Sequence, residues 1–126
     1  MKYSGKRAVY IGDNKVMLTV IKKKLEFLGF AVDIGESANA LFELMKYNEY
    51  DILILDDMMP EMSGTEIMQK LKRENYNKPI IVLTGNNKPE DRERYLNLGF
   101  DEYIAKPPTD EDFDRVLVRF IDKLLD

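Results

Sequence analysis

The sequence predicts an α/β domain: a single parallel sheet covered by helices on both faces, a three-layer (βα)5 sandwich. Three observations lead there. Short apolar runs recur at Ala8–Ile11, Phe30–Ile34, Ile52–Leu55, Ile80–Leu83 and Tyr103–Ala105. Amphipathic helical patterns fall between them. The first, third and fourth runs are almost continuously apolar and often β-branched, as strands buried on both faces are. Strands that each precede a helix form a covered parallel sheet, and right-handed crossovers leave few topologies. The order 2-1-3-4-5 is expected.

The helices follow from spacing and caps. Over Asn14–Leu28, residues Met17, Ile21, Leu25 and Leu28 predict one apolar stripe, and Gly29 suits the C-terminal cap. Ser37 can cap a second helix that buries Leu41, Leu44 and Met45. A third is expected from about Thr65 to Glu74, with Ile67, Met68 and Leu71 inward. Pro89 suits the first turn of a fourth, which ends before Gly99. Its large apolar residues are only Tyr95, Leu96 and Leu98, so its polar surface is either a solvated face or a signalling surface. The last is expected over Asp110–Leu125, with Phe113, Val116, Leu117, Phe120, Ile121 and Leu124 inward. Thr109 caps it, and Asp110, Glu111 and Asp112 suit the positive end of its dipole.

Composition narrows the function. A chain of 126 residues suits one domain, 1–126, with its core over about 7–125. Hydrophobic content of 44% and charged content of 33% are ordinary for a globular protein. The net charge of -4 argues against non-specific nucleic-acid binding but leaves room for a local patch, and no direct nucleic-acid partner is expected. No run approaches the roughly 18 apolar residues of a membrane span. Met1 to Arg7 lack the apolar centre of a signal peptide, so a cytoplasmic location is expected. No cysteine is present, which excludes disulfides and thiolate chemistry. No histidine is present either, so any histidine chemistry must come from a partner.

Ligands bind such sheets outside the carboxyl ends of the strands. Asp13 follows strand one, Asp56 ends strand three, Thr84 ends strand four, and strand five runs into Lys106-Pro107. The expected order makes these strands neighbours, so two acids, a hydroxyl and an amine converge on one rim. Close carboxylates repel unless a cation lies between them. Hard oxygen donors without histidine favour Mg²⁺ (or Mn²⁺), held by one or two carboxylates and several waters. A carboxylate is also a nucleophile toward phosphorus. Phosphoryl transfer mostly needs positioning and charge neutralisation, which the cation, Lys106 and Thr84 could supply. Singly, each residue has an ordinary explanation: Asp13 a helix cap, Thr84 a strand residue, Lys106 a solvated lysine. Their joint placement is what points to a site.

Three motifs then resemble the receiver domain of bacterial two-component response regulators, in order and over nearly the whole chain. ILILDDMMPEMSG, Ile52 to Gly64, is similar to the strand-three motif D-x-x-M-P-x-M-x-G. Counting back from Pro60 makes Asp56 the phosphoacceptor rather than Asp57, and strand alternation sends the two side chains to opposite sides. Pro79 to Gly85 resembles the fourth-strand motif ending in Thr or Ser, and Gly99 to Pro107 the fifth-strand motif with its lysine. The resemblance implies a flavodoxin-like fold and a signalling domain that catalyses only its own phosphorylation and dephosphorylation. Asp56 would accept a phosphoryl group from the phosphohistidine of a histidine kinase or histidine phosphotransfer protein. Asp13, Asp56 and the main-chain carbonyl of Met58 would hold the metal. Lys106 would pair with Asp56 and then with the phosphoryl group. Thr84 and Tyr103 would switch the surface of the fourth helix, fifth strand and fifth helix toward an unidentified downstream protein. Tyr103 also reads as a strand aromatic packed on the last helix. Lys106-Pro107 would be cis, which a following proline makes credible.

The sequence departs from that family twice. Gly12-Asp13 stands where two adjacent acids are usual, which predicts weaker metal affinity. Met58 stands where the family tunes dephosphorylation, and an apolar side chain cannot position a water, which predicts a long-lived phosphoryl group. The opening Tyr3 to Ile11 resembles receivers attached to hybrid histidine kinases. No output domain follows Asp126, so a stand-alone relay protein or an excised piece of a larger one is expected. The competing reading is a phosphorylation-independent pseudo-receiver that only binds proteins; retention of Asp13, Asp56, Thr84 and Lys106 argues against it. A flavin-binding protein would want a Ser/Thr/Gly-rich loop after strand one, and a dehalogenase-type phosphatase an Asp-x-Asp pair. Neither is present.

Overall fold

The computed structural model describes residues 2–122. Strands β1 (Arg7–Ile11), β2 (Ala31–Gly35), β3 (Ile52–Asp56), β4 (Ile80–Thr84) and β5 (Glu102–Ala105) form one parallel sheet in the order β2-β1-β3-β4-β5. Helices α1 (Lys15–Phe27), α2 (Ala38–Met45), α3 (Gly64–Arg73), α4 (Pro89–Leu98) and α5 (Asp110–Phe120) alternate with them. The expected order and architecture are therefore the observed ones.

Strand alternation divides the core. Ala8, Tyr10, Ile52, Ile54, Ile81 and Leu83 face one side with α1 and α5. Val9, Ile11, Leu53, Leu55, Ile80 and Val82 face the other with α2, α3 and α4. β3 and β4 are buried along their whole length, which is why they read as unbroken apolar runs.

Several expectations need correction, and of the three residues expected to be buried in α2 only Leu41 is, Leu44 and Met45 being half-buried. The buried stripe of α1 is Leu18, Ile21 and Leu25, while Met17 and Leu28 are only half-buried. Leu18 and Ile21 stand three apart and Leu25 four further on, so they share a face, and Met17 sits at its edge. β2 begins at Ala31 because Phe30 completes the cap of α1. The Phe30 N–H donates to Leu25 O at 3.1 Å and the Gly29 N–H to Glu26 O at 2.9 Å, with Gly29 at φ 112. That pair of bonds is the Schellman arrangement, and its left-handed residue favours glycine. α5 ends at Phe120; the expected Leu124 and Leu125 lie outside the described residues. The caps at Ser37 and Thr109 form as expected, and Thr109 with Asp112 makes a reciprocal capping box.

One charged residue is buried where β5 meets α4 and α5. The Glu102 side chain is 2% exposed and is met by Arg92 at 3.1 Å, Arg115 at 3.2 Å and Arg119 at 3.1 Å. The Tyr103 N–H also donates to it at 2.9 Å. Burial pushes the Glu102 carboxyl up, but that N–H and the arginines outweigh it and hold the group below its ordinary range.

Candidate functional site

Asp56 is the last residue of β3 and is 1% exposed. β1 pairs with β3 so that Tyr10 lies opposite Ile54, two residues before Asp56 and on the same face. That register carries the Tyr10 phenol up to the rim, where it donates to Asp56 Oδ1 at 2.7 Å. Lys106, just beyond β5, places Nζ 3.2 Å from Oδ2. Oδ2 nevertheless makes no hydrogen bond, so the lysine contact is an ion pair off the hydrogen-bonding axis. The Lys106-Pro107 peptide is cis, as expected.

Burial raises the Asp56 carboxyl above the ordinary carboxylate range. Tyr10 and Lys106 pull it down without cancelling that rise, and the charge of Asp13 adds to it. Tyr10 is itself shifted upward, first by burial and then by the Asp56 charge. The hydroxyl is therefore protonated and is the donor.

Asp57 points the other way. Its Oδ1 accepts from the Thr65 N–H at 3.1 Å and the Thr65 hydroxyl at 2.7 Å, at the start of α3. Its Oδ2 accepts from the Tyr95 hydroxyl at 2.7 Å, on α4. The two adjacent acids thus have separate surroundings.

Thr84 ends β4 and is buried, but it is not turned toward Asp56. Its Oγ1 accepts from the Asn86 N–H at 3.2 Å and stands 3.5 Å from the Tyr95 hydroxyl. Tyr103 is buried, and its hydroxyl donates to the Asn86 carbonyl. Its ring stacks on Tyr95 with centroids 5.9 Å apart and planes at 21°. Tyr103 therefore packs on α4, not on the last helix as one of its sequence readings had it. Asp13 is exposed on the rim, and its side chain makes no hydrogen bond among the described residues. The Met58 side chain is 74% exposed.

The structure thus joins Asp56 to Lys106 directly, sets Asp13 near enough to act on the Asp56 charge, and leaves Thr84 on the Tyr95 side. Sequence reasoning missed Tyr10 and Tyr95, which it counted as core. Both are 0% exposed, and a buried phenol needs a partner for its hydroxyl, which was the available signal.

The donors at this rim fit a hard divalent cation. They are the carboxylates of Asp13 and Asp56, hard oxygens close enough for the Asp13 charge to act on Asp56. Among the described residues no three His, Cys, Asp or Glu side chains gather to hold a metal, and Mg²⁺ usually takes only one or two carboxylates and keeps several waters.

Comparison with known proteins places this geometry in context. The family model described as the response regulator receiver domain matches residues 9–117. The chain is similar to the transcriptional regulatory protein TctD of Salmonella typhimurium, 34% identical over 116 residues, covering 90% of this chain and 52% of that protein. It is also similar to the aerobic respiration control sensor protein ArcB of Escherichia coli, 33% identical over 100 residues, covering 77% of this chain and 13% of that protein. The chain spans about half the length of TctD and far less of ArcB. Among solved structures, the receiver domain of sensor histidine kinase PA1611 from Pseudomonas aeruginosa matches with a TM-score of 0.82 and 30% identity, covering 94% of this chain and 99% of that one. It is described with a magnesium ion coordinated in its active site cleft.

Proposed function

The chain belongs to the receiver-domain family of two-component response regulators, and from that premise we propose that Asp56 is its phosphoacceptor. The observation that carries the assignment is the buried Asp56 carboxylate at the end of β3 with the Lys106 ammonium 3.2 Å away. An Asp56 oxygen attacks phosphorus, the bond from phosphorus to the partner's imidazole nitrogen breaks, and the electron pair leaves with the imidazole. The chain has no histidine, so a histidine kinase or histidine phosphotransfer protein supplies the phosphoryl group. Lys106 meets negative charge arriving at Asp56. Asp13, Asp56 and the Met58 carbonyl hold Mg²⁺, which neutralises phosphoryl charge when bound; Mn²⁺ has the same oxygen preference. The magnesium described for the PA1611 receiver supports that choice.

Thr84 and Tyr103 carry the switch in this reading. When Thr84 turns toward the phosphoryl group it leaves Asn86 and Tyr95, and Tyr103 is already buried beside them. The face of α4, β5 and α5 then changes, and a downstream protein reads it. The net charge of -4 favours a protein partner over direct contact with nucleic acid.

Incubation with acetyl phosphate and Mg²⁺, read by intact mass, tests the assignment. A phosphoryl-sized gain is expected in the wild type and none in Asp56→Asn. No gain in the wild type, with beryllofluoride also failing to bind, would favour the pseudo-receiver reading instead. The exposed, apolar Met58 gives no help to an attacking water. Met58→Glu should therefore shorten the phosphoryl lifetime on the order of tenfold or more. Decay rates equal in the two proteins would contradict that.

A further inference from the structure

The contact between Tyr10 and Asp56 is not explained by acceptance of a phosphoryl group. The Tyr10 hydroxyl is buried and donates to Asp56 Oδ1 at 2.7 Å. Its ring belongs to the core between the sheet and α1, so the phenol has a fixed base and one polar end. A second observation concerns Gly12. A Cβ placed there would stand 2.8 Å from the Tyr10 hydroxyl and 2.4 Å from Asp56 Oδ2. Any side chain at position 12 is therefore incompatible with the way Tyr10 and Asp56 now meet. The glycine does more than omit an acid; it makes the room that this contact uses.

The third observation is electrostatic. Oδ2 faces the Lys106 ammonium at 3.2 Å, so a divalent cation approaching that oxygen meets like charge. The oxygen that Tyr10 holds is the other one, Oδ1. We propose that Tyr10 is a positioning residue that occupies Asp56 Oδ1 while no cation is bound and must release it when a cation binds. This rests on the reading of Asp13 and Asp56 as cation ligands. It adds a reason, beyond the lost charge at Gly12, for a site tuned toward weak binding.

Titration of the full chain with Mg²⁺ alone, at mildly alkaline pH and followed by nuclear magnetic resonance, tests it on the wild type, Tyr10→Phe and Asp13→Asn. Tyr10→Phe keeps the ring and removes the donor. A hydrogen bond to a charged group contributes enough that its removal should tighten Mg²⁺ binding by about tenfold. Structural damage would weaken binding, so tightening separates the two. In the wild type the Tyr10 ring signals should shift in step with saturation. Asp13→Asn should weaken binding strongly. Affinity that is unchanged or weaker in Tyr10→Phe, with binding still dependent on Asp13, overturns the role of Tyr10 and leaves the cation site standing. Absence of binding in every protein overturns the cation site and the role of Tyr10 with it.

Discussion

Gly64→Ala is expected to destabilise the domain by about 3 kcal/mol or more, as much as a severe core truncation. The added Cβ would lie 2.1 Å from the Asp56 carbonyl oxygen, 2.9 Å from its carbonyl carbon and 3.1 Å from the Asp57 Cα. All three are backbone atoms at the end of a buried strand, so no flexible side chain can swing aside. The Gly64 N–H also donates to the Asp57 carbonyl at 3.0 Å, which ties the first turn of α3 to the same segment. Relief of the clash must move either α3 or the peptide that aims Asp56. Urea denaturation of the variant beside Gly85→Ala checks this, because a Cβ at Gly85 meets nothing within 4 Å. A Gly85 variant within about 1 kcal/mol of wild type is expected, since there only chain entropy changes. Equal stability of the two variants would contradict the close approach.

Glu102→Gln should cost about 1.5–3 kcal/mol at neutral pH, and the loss should fade in acid. The variant keeps the shape and removes the charge that Arg92, Arg115 and Arg119 surround. Those arginines are about half exposed, so solvent screens part of their attraction. The folded Glu102 carboxyl lies below its ordinary range and the unfolded one within it. Between the two values the unfolded chain binds more protons, so stability rises with pH there. The contribution is complete above the ordinary glutamate range and is lost as pH falls through the folded value. Wild type and variant should therefore converge in denaturation midpoint at low pH. A constant gap across that window would show that shape, not charge, sets the effect.

Much of the fold was legible because local signals agreed. The apolar runs at Ile52–Leu55 and Ile80–Leu83 lie within strands buried throughout, and Ser37, Pro89, Thr109 and Gly29 mark helix ends that the structure keeps. Met17 was misplaced because a broad apolar stripe through Ile21 and Leu25 admits either Met17 or Leu18 at its N-terminal end, and the packing of α1 chose Leu18. Alternation correctly sends Asp56 and Asp57 to different surroundings. The partners of each acid were not legible, because they depend on register between strands distant in sequence. Tyr10 reaches Asp56 only because it pairs opposite Ile54. Tyr95 reaches Asp57 only because α4 packs beside the end of β3. Gly64 was read as a motif letter, and its physical reason appears only when α3 lies against the Asp56 carbonyl.

The central claim is that Asp56, not its neighbour, carries the phosphoryl group. Borohydride reduces an acyl phosphate to an alcohol and so converts a phosphorylated aspartate to homoserine. Treating the acetyl-phosphate-labelled chain in this way and sequencing its peptides by mass spectrometry locates the modified residue. The account predicts homoserine at position 56 alone. Homoserine at position 57 or 13 would contradict it.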